Sequence, residues 1–228
     1  MSEKGYSKDT WRCEYLVIGS GAGGSISGAL LAEAQRDVII LEEGGYLPTD
    51  SYSSNISDMT AMLYRNRGVF PFLGIPTIAF AEGRCVGGGT VINGGLFWRT
   101  PPWILDEWVL TNGLTEYDPA SLVPHFEVIE KDLNVVIRTP ESDANLDSMC
   151  LRRGVESLGW KSVMIPHAAK GCTNLNLCPT GCLSGAKQSM LETYLPRAVK
   201  NGARVLSDCR ALCARAQWSP GAICRSVG

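Results

Sequence analysis

The sequence lacks a surplus of either charge. Its 228 residues include 21 Lys and Arg against 23 Asp and Glu, which gives a formal net charge of −2. Proteins that bind nucleic acid or an anionic membrane surface usually carry a basic surplus, so both classes of partner are disfavoured. Internal repeats and low-complexity segments are also missing. The length allows one large domain or two small ones.

Long apolar runs are equally scarce. Tyr15–Ala32 carries no charge over 18 residues, but five glycines and three serines dilute it. A transmembrane helix needs about 20 mostly apolar residues, so we expect no transmembrane segment. Met1–Arg12 is polar and has no apolar signal core, which predicts a cytoplasmic protein. Nine cysteines in such a chain indicate thiols or metal ligands rather than a disulfide scaffold.

The stretch Tyr15–Glu43 contains a strand–loop–helix–strand–acid pattern. Its parts are an apolar strand (Tyr15–Ile18), glycines in G-x-G-x-x-G spacing (Gly19, Gly21, Gly24), a helix (Ser25–Ala34) with Ile26, Leu30 and Leu31 on one side, a second apolar strand (Val38–Leu41) and Glu42. Five consistent features in this order predict a dinucleotide site, whereas the glycine spacing alone would be weak evidence.

Each part of this pattern has a physical role. Gly19 allows a sharp turn, Gly21 lets a pyrophosphate approach the backbone, and Gly24 lets the helix lie close to the strand. The helix N-terminus offers N–H groups to phosphates. Glu42 lies 23 positions after Gly19, near the usual separation of about 20, and can accept hydrogen bonds from ribose hydroxyls. Its charge would repel a 2′-phosphate, so NADP is disfavoured.

A second glycine-rich stretch spans Glu82–Arg99, where Gly87–Gly89 and Gly94–Gly95 flank four other residues. Such density predicts a loop whose backbone passes close to a flat or bulky group, and we expect no helix through three consecutive glycines. A glycine-rich hairpin is the alternative. The preceding Arg67–Ala81 is apolar and interrupted by prolines and glycine, which favours a buried connecting loop or lid.

Three motifs resemble the glucose–methanol–choline (GMC) family of FAD-dependent oxidoreductases: VIGSGAGG from Val17, VIILEEGG from Val38 and GRCVGGGTVINGG from Gly83. The resemblance implies an α/β fold, a Rossmann-like FAD-binding domain with an inserted, mainly helical segment. It implies a discontinuous FAD-binding domain at 13–100 and 190–228, with 101–189 leading towards a substrate domain that is missing. The implied reaction is hydride transfer from a CH–OH group of an alcohol, sugar or sterol to flavin N5.

The resemblance also implies a set of FAD-binding residues. They are Gly19, Ser20, Gly21, Ala22, Gly23, Gly24, Glu42, Glu43, Arg84, Gly87, Gly88, Gly89, Thr90, Asn93, Gly94 and, by a looser match, Ala211. The family's catalytic histidine lies near the C-terminus of longer chains, and neither His125 nor His167 matches its motif. We therefore expect a truncated chain that has no catalytic residue and little turnover on a small-molecule alcohol. The electron acceptor stays open.

Two other functions compete with this interpretation. One is a non-catalytic flavin- or metal-binding fragment. The other is an NAD-dependent dehydrogenase, which the second glycine loop disfavours because an NAD-binding Rossmann domain does not need it.

Cys172, Cys178 and Cys182 form a C-x5-C-x3-C pattern in a turn-rich segment. Three thiolates could hold an iron–sulfur cluster, or a zinc ion together with His167. A disulfide and ordinary thiols in a structural loop are the alternatives. The resemblance adds that the same spacing binds a three-iron cluster in flavin-containing sugar dehydrogenases of the family.

The remaining patterns predict ordinary elements. Helices are expected at Ile104–Leu110, Pro119–Val135, Asp143–Trp160 and Thr193–Lys200, and strands at Ala203–Leu206, Cys209–Ala216 and Ala222–Val227. Pro101–Pro102 should exclude a helix at that point. The three tryptophans of Trp98–Leu114 are expected to pack in a core rather than to line a substrate entrance.

Overall fold

The computed structural model describes residues 10–138, 146–215 and 223–227. Two compact units are present. The first, here the sheet unit, comprises Met1–Gly94, Leu175–Gly185 and Ser189–Gly228, and the second, the helical unit, comprises Gly95–Asn174 and Ala186–Gln188. No helix within the described ranges is long and apolar enough to span a membrane. The domain boundaries expected from the sequence stay a prediction.

The described chain contains seven α-helices and nine strands, besides short 3-10 turns. The helices are α1 (Ala22–Glu33), α2 (Ile56–Leu63), α3 (Gly89–Ile92), α4 (Pro102–Asn112), α5 (Pro119–Asp132), α6 (Leu146–Ser157) and α7 (Tyr194–Lys200). The strands are β1 (Tyr15–Ile18), β2 (Val38–Leu41), β3 (Phe70–Phe72), β4 (Ile78–Phe80), β5 (Val135–Ile137), β6 (Pro166–Ala168), β7 (Arg204–Leu206), β8 (Arg210–Arg215) and β9 (Ile223–Val227).

The sheet unit is built on a parallel three-stranded sheet with the order β1-β2-β7. Tyr15 pairs with Val38 in β2, and Ile39 pairs with Arg204 in β7. All four residues of the central strand β2 are buried, as expected for a parallel strand whose sequence is a continuous apolar run. The strand–helix–strand pattern predicted from the sequence is confirmed.

Helix α1 differs from its predicted form in two respects. It begins at Ala22, three residues before the predicted start, and its buried residues are all small: Ser25, Gly28, Ala29 and Ala32. The predicted apolar side was wrong, since Leu30 is 54% exposed. The cause is close packing on β2, because a Cβ atom on Gly28 would lie 2.5 Å from Cδ1 of Ile40. Only small side chains fit between the helix and the strand.

A second core lies around α2 in the sheet unit. Its buried residues are Tyr52, Met59, Leu63, Cys85, Val91 and Ile92. Asn55 caps α2, because its side chain accepts hydrogen bonds from the N–H groups of Ser57 and Asp58. The second glycine stretch therefore contributes Cys85, Val91 and Ile92 to a packed core as well as forming a loop.

The segment Arg67–Ala81 was predicted as a buried loop or lid, and this was wrong. It forms an antiparallel hairpin in which β3 pairs with β4, and its described side chains are exposed. The Phe72 and Phe80 rings pack on each other with centroids 5.0 Å apart. Because the apolar residues contact one another across the hairpin, the two strands form without burial in either core.

The helical unit contains α4, α5, α6 and the antiparallel pair β5–β6. Helix α4 begins at Pro102, so the predicted exclusion of a helix there was wrong; a proline is compatible with the first turn. The predicted core packing of the tryptophans was also wrong, since Trp98, Trp103 and Trp108 are exposed. The buried residue of α4 is Leu105.

The C-terminal strands β8 and β9 form an antiparallel pair with a register shift between Ala211 and Ala214. The predicted strands are confirmed. The sequence also predicts a turn between them at Ser219-Pro220-Gly221, which lies outside the described residues.

Candidate functional site

The turn from β1 into α1 forms the first wall of the candidate site. Gly19 has φ +93° and donates its N–H to the Leu41 carbonyl at 2.7 Å. A Cβ atom on Gly24 would lie 1.9 Å from the Gly19 carbonyl oxygen and 3.2 Å from Cγ1 of Val17. The sharp turn and the close helix–strand contact expected from the glycine spacing are both present.

The outer side of this turn is open. Cβ atoms built on Gly21 or Gly23 would meet nothing within 4 Å. Gly21 precedes the first turn of α1 and offers no side-chain cap, so N–H groups of that turn are available to a ligand. A backbone of this form can approach an anionic group directly.

Glu42 is 7% exposed, and its carboxylate lies next to this turn. Its Oε2 accepts hydrogen bonds from the Ser20 N–H at 2.9 Å and the Ser20 hydroxyl at 2.6 Å. Its Oε1 accepts one from the Gly44 N–H at 2.9 Å. A carboxylate has about four acceptor positions, so Glu42 keeps capacity for a ligand hydroxyl.

Ser20 connects this carboxylate to the second glycine stretch. Its hydroxyl also accepts a hydrogen bond from the Gly87 N–H at 2.9 Å, and Ser20 is fully buried. We call Ser20, Glu42 and Gly87 the Ser20 junction. The family resemblance pointed to all three residues, but nothing in the sequence indicated their connection, because 67 positions separate Ser20 from Gly87.

The two glycine stretches lie directly against each other. A Cβ atom on Gly88 would lie 3.0 Å from Cα of Gly21, and Gly87 and Gly88 have φ of +93° and +54°. Helix α3 begins only at Gly89, so no helix runs through the three consecutive glycines, as the sequence predicted. The positive φ of Gly88 ends the loop and allows one helical turn to start immediately after it.

The other predicted residues of this loop lie on or beside α3. The Thr90 hydroxyl donates to the Gly87 carbonyl at 2.6 Å and accepts from the Met190 N–H at 3.0 Å, so it stabilises the loop. Asn93 ends α3, and Asn93 and Gly94 are exposed. A Cβ atom on Gly89 would meet nothing within 4 Å, as at Gly21.

Glu43 lies at the centre of a group of charged residues. We call Glu43, Glu82, Arg65, Arg84 and Arg210 the arginine cluster. Arg65 donates to Glu43 at 2.7 and 3.2 Å and to Glu82 at 2.7 Å. Arg84 Nε lies 3.1 Å and Arg210 Nε 4.0 Å from the Glu43 carboxylate. The hydrogen bond from Arg65 lowers the pKa of Glu43 below its usual value, and the Arg210 and Arg84 charges add to this.

The start of the second glycine stretch is held on two sides. Arg84 donates its N–H to the Leu63 carbonyl at 2.8 Å, at the end of α2, and Val86 donates to the Gly45 carbonyl at 3.0 Å. A Cβ atom on Gly44 would lie 2.2 Å from the Arg84 carbonyl carbon. The segment that follows β2 and the segment that enters the second glycine loop therefore pack backbone against backbone.

Comparison with known proteins identifies the family, since residues 14–213 match the family described as GMC oxidoreductase. The chain belongs to the GMC oxidoreductase family. The resemblance seen in the glycine motifs is confirmed, together with the predicted assignment to flavin-dependent oxidoreductases.

Curated GMC relatives match most of this chain but extend well beyond it. An uncharacterized GMC-type oxidoreductase of Sinorhizobium fredii is 37% identical over 195 residues, which cover 86% of this chain and 38% of the relative. The long-chain-alcohol oxidase FAO1 of Arabidopsis thaliana is 28% identical over 213 residues, which cover 90% of this chain and 27% of the relative. The chain thus spans well under half the length of these two relatives.

Solved structures show the same fold. Pyridoxine 4-oxidase from Mesorbium loti matches with a TM-score of 0.66 at 17% identity, over 90% of this chain and 44% of that chain. A fungal aryl-alcohol oxidase matches with a TM-score of 0.62 at 14% identity, over 95% of this chain and 43% of that chain. The predicted fold class, α/β with a Rossmann-like FAD-binding domain, is confirmed.

The remaining predicted site residues of this GMC chain lie on β8 and in the cysteine loop. Ala211 is on β8, opposite Ser226. Cys178 begins a short 3-10 turn, Cys178–Thr180, and Cys182 Sγ lies 3.4 Å from the Ser184 hydroxyl. Cys172 Sγ lies 3.7 Å from Oδ1 of Asn174.

A metal centre is not assembled in the described ranges, where no group of three or more His, Cys, Asp or Glu side chains could hold a metal ion. The iron–sulfur or zinc site at the cysteines stays a prediction. His125 is an exposed residue of α5 and His167 belongs to β6.

Proposed function

We propose that this chain binds FAD and is the cofactor-binding part of an oxidoreductase that acts on CH–OH groups of small-molecule alcohols. The observation that carries the proposal is the meeting of the two glycine loops, with Gly88 against Gly21 and the Gly87 N–H on the Ser20 hydroxyl. A single glycine turn serves many nucleotides. A second glycine loop packed on the first suits a longer cofactor whose second half continues along the protein.

The residues present fit FAD. Open space beside Gly21, Gly23 and Gly89 leaves room for a ligand against the backbone, and the helix N-terminus favours a pyrophosphate there. Glu42 is held by three donors, so its carboxylate is fixed where a ribose could donate to it. FAD would lie against the predicted set: Gly19–Gly24, Glu42, Glu43, Arg84, Gly87–Thr90, Asn93, Gly94 and Ala211.

The names of the relatives support the proposed reaction class. Their names include a long-chain-alcohol oxidase, a paromamine 6′-oxidase of Streptomyces fradiae and an aryl-alcohol oxidase, which support an alcohol as substrate here. Bound FAD would supply the hydride acceptor for an alcohol carbon. The residues of this chain would bind and orient the cofactor, and their N–H groups could stabilise negative charge on it.

Turnover would need a base. Neither His125 nor His167 matches the histidine motif of the family, so we expect the 228-residue chain alone to oxidise alcohols no faster than a flavin blank. Alcohol oxidation above that blank would contradict this part of the proposal without affecting FAD binding.

The visible spectrum of the purified protein tests the proposal. We expect a two-band yellow flavin spectrum that remains after gel filtration, and a broad brown absorbance in addition only if the cysteine loop holds an iron–sulfur cluster. An NAD-binding protein would show neither. A wild-type protein that is colourless after incubation with FAD and removal of the free FAD by gel filtration would overturn the proposal.

A variant of the Ser20 junction tests whether FAD binds at the two glycine loops. Ser20→Ala removes the hydroxyl that Glu42 and Gly87 share, and a lost buried hydrogen bond costs about 1 to 3 kcal/mol. We expect the dissociation constant for FAD to rise about tenfold. Ser51→Ala is the control, because its exposed hydroxyl donates only to the nearby Pro48 carbonyl at 2.6 Å and its removal should leave FAD affinity unchanged.

A further inference from the structure

We propose that Arg65 is a positioning residue for the cofactor site, which acts by orienting Glu43 and, through it, the Arg84 guanidinium. Arg65 lies outside both glycine motifs, two residues after the end of α2, and nothing in the sequence marked it. The inference rests on the proposed FAD function, because Glu43 and Arg84 belong to the predicted FAD-binding set.

The Arg65 guanidinium joins two carboxylates from different segments. It donates to both oxygens of Glu43, at 2.7 and 3.2 Å, and to both oxygens of Glu82, at 2.7 and 3.4 Å. Only a planar guanidinium offers a fork of donors that can serve two carboxylates in this way. The side chains of Arg65 and Glu43 are 24% and 22% exposed, so water screens this pair less than a pair on the open surface.

The two carboxylates belong to the two segments that form the site. Glu43 directly follows Glu42 at the exit of β2, and Glu82 precedes the second glycine loop. A backbone hydrogen bond also joins Arg65 to Glu82, since the Arg65 N–H donates to the Glu82 carbonyl at 2.9 Å. Arg65 therefore fixes the entry of the loop relative to the exit of the strand.

Arg84 is the side chain that would contact the cofactor, and Arg65 would act on it through Glu43. Its Nε lies 3.1 Å from Oε1 of Glu43, and its side chain is 50% exposed, so an anionic ligand can reach it. Arg65 holds both Glu43 oxygens, and this keeps the carboxylate in one orientation. Without Arg65, Glu43 could rotate towards Arg84 or Arg210, and Arg84 would lose its fixed position.

The test is a double-mutant cycle read out by ADP, which is the adenosine diphosphate half of FAD. The 228-residue protein, Arg65→Ala, Arg84→Ala and the double variant are titrated with ADP and with FAD by calorimetry. We expect each single variant to raise the dissociation constant for ADP about tenfold and the double variant to raise it little further. A purely structural role of Arg65 would instead give effects that multiply.

Arg36→Ala is the matched control. Arg36 pairs with Glu14 at 3.1 Å, and the two are 22 positions apart, as are Arg65 and Glu43. This pair is more exposed and lies away from the glycine loops, so ADP affinity should not change. Arg65→Lys, combined with Arg84→Ala in the same cycle, keeps the test valid if Arg65→Ala does not fold, because lysine keeps the positive charge but has no planar fork of donors for the two carboxylates.

The possible results separate the two proposals. A wild-type protein that binds neither FAD nor ADP overturns the proposed function and this inference with it. A wild-type protein that binds both, with ADP affinity unchanged in Arg65→Ala or in Arg84→Ala, overturns the inference alone. Effects that multiply in the double variant also overturn it.

Discussion

Two consecutive glutamates at the exit of β2 differ in their burial and in the kind of donor that binds them. Glu42 is buried and accepts hydrogen bonds from two backbone N–H groups and a hydroxyl. Glu43 is 22% exposed on its side chain and is bound by arginines. Successive residues at a strand end point to opposite sides, so one carboxylate faces the glycine turn and the other faces the arginine cluster.

The difference shows which forces shape each region. A buried carboxylate held by uncharged donors depends on every one of them, because a lost partner leaves a desolvated group. A partly exposed ion pair contributes less to stability, since water and salt screen it. We therefore expect the Ser20 junction to be sensitive to small changes in shape, and the arginine cluster to affect ligand affinity more than folding.

Gly24→Ala should have the largest effect on the glycine-turn side of this comparison. The new Cβ atom would lie 1.9 Å from the Gly19 carbonyl oxygen, and such overpacking costs about 1 to 3 kcal/mol or more. We expect a clear loss of unfolding free energy in denaturant titrations without ligand. Gly23→Ala is the control, because its Cβ would meet nothing within 4 Å; equal losses in the two variants would contradict the packing described here.

Glu42→Gln and Glu43→Gln compare the two carboxylates directly. An amide at position 42 turns its NH₂ group towards a donor in either orientation, so we expect a loss of about 1 to 3 kcal/mol in unfolding free energy. At position 43 an amide can still accept a hydrogen bond from Arg65, and we expect less than about 1 kcal/mol. The same denaturant titrations measure both. A larger loss at position 43 would reverse the comparison.

The pH dependence of stability should show the smallest effect. Arg65 lowers the pKa of Glu43 below its usual value of 4.5. Folding therefore gains from this group above pH 4.5, and the gain is lost as the pH falls through the lower pKa of the folded state. The difference in melting temperature between wild type and Glu43→Gln should be constant near neutral pH and shrink in acid. A difference that grows in acid would show that the ion pair does not stabilise the fold.

The sequence predicted the parts of the fold that depend on local patterns. The apolar run Val38–Leu41 and the glycine spacing from Gly19 to Gly24 specify a strand, a turn and a helix, and the structure has all three, with the helix beginning three residues earlier than predicted. The apolar side predicted for α1 was wrong, because periodicity favours large residues inside, whereas close packing on β2 admits only small ones. The exposed β3–β4 hairpin was missed for a related reason. An apolar composition predicts contact with other apolar residues, but it does not show whether those residues lie in a core or on the neighbouring strand.

The glycines of the candidate site were predictable from the sequence, but the hydrogen bonds and ion pairs that join its parts were not. Ser20 and Gly87 are far apart in sequence, and their hydrogen bond exists only because the sheet and the loop fold together. Arg65 lies in a turn that includes left-handed residues at Asn66 and Arg67, where no periodic pattern marks a contact. Side-chain networks of this kind depend on tertiary structure and have no local sequence pattern.

A parallel calorimetric titration with FAD and with NAD tests the central claim most directly. Protein stripped of flavin is titrated with each nucleotide under the same conditions. The two packed glycine loops predict that FAD binds with one site per chain and that NAD, which shares only the adenosine diphosphate half, binds far more weakly. NAD binding as tight as FAD binding, or no FAD binding at all, would contradict the account.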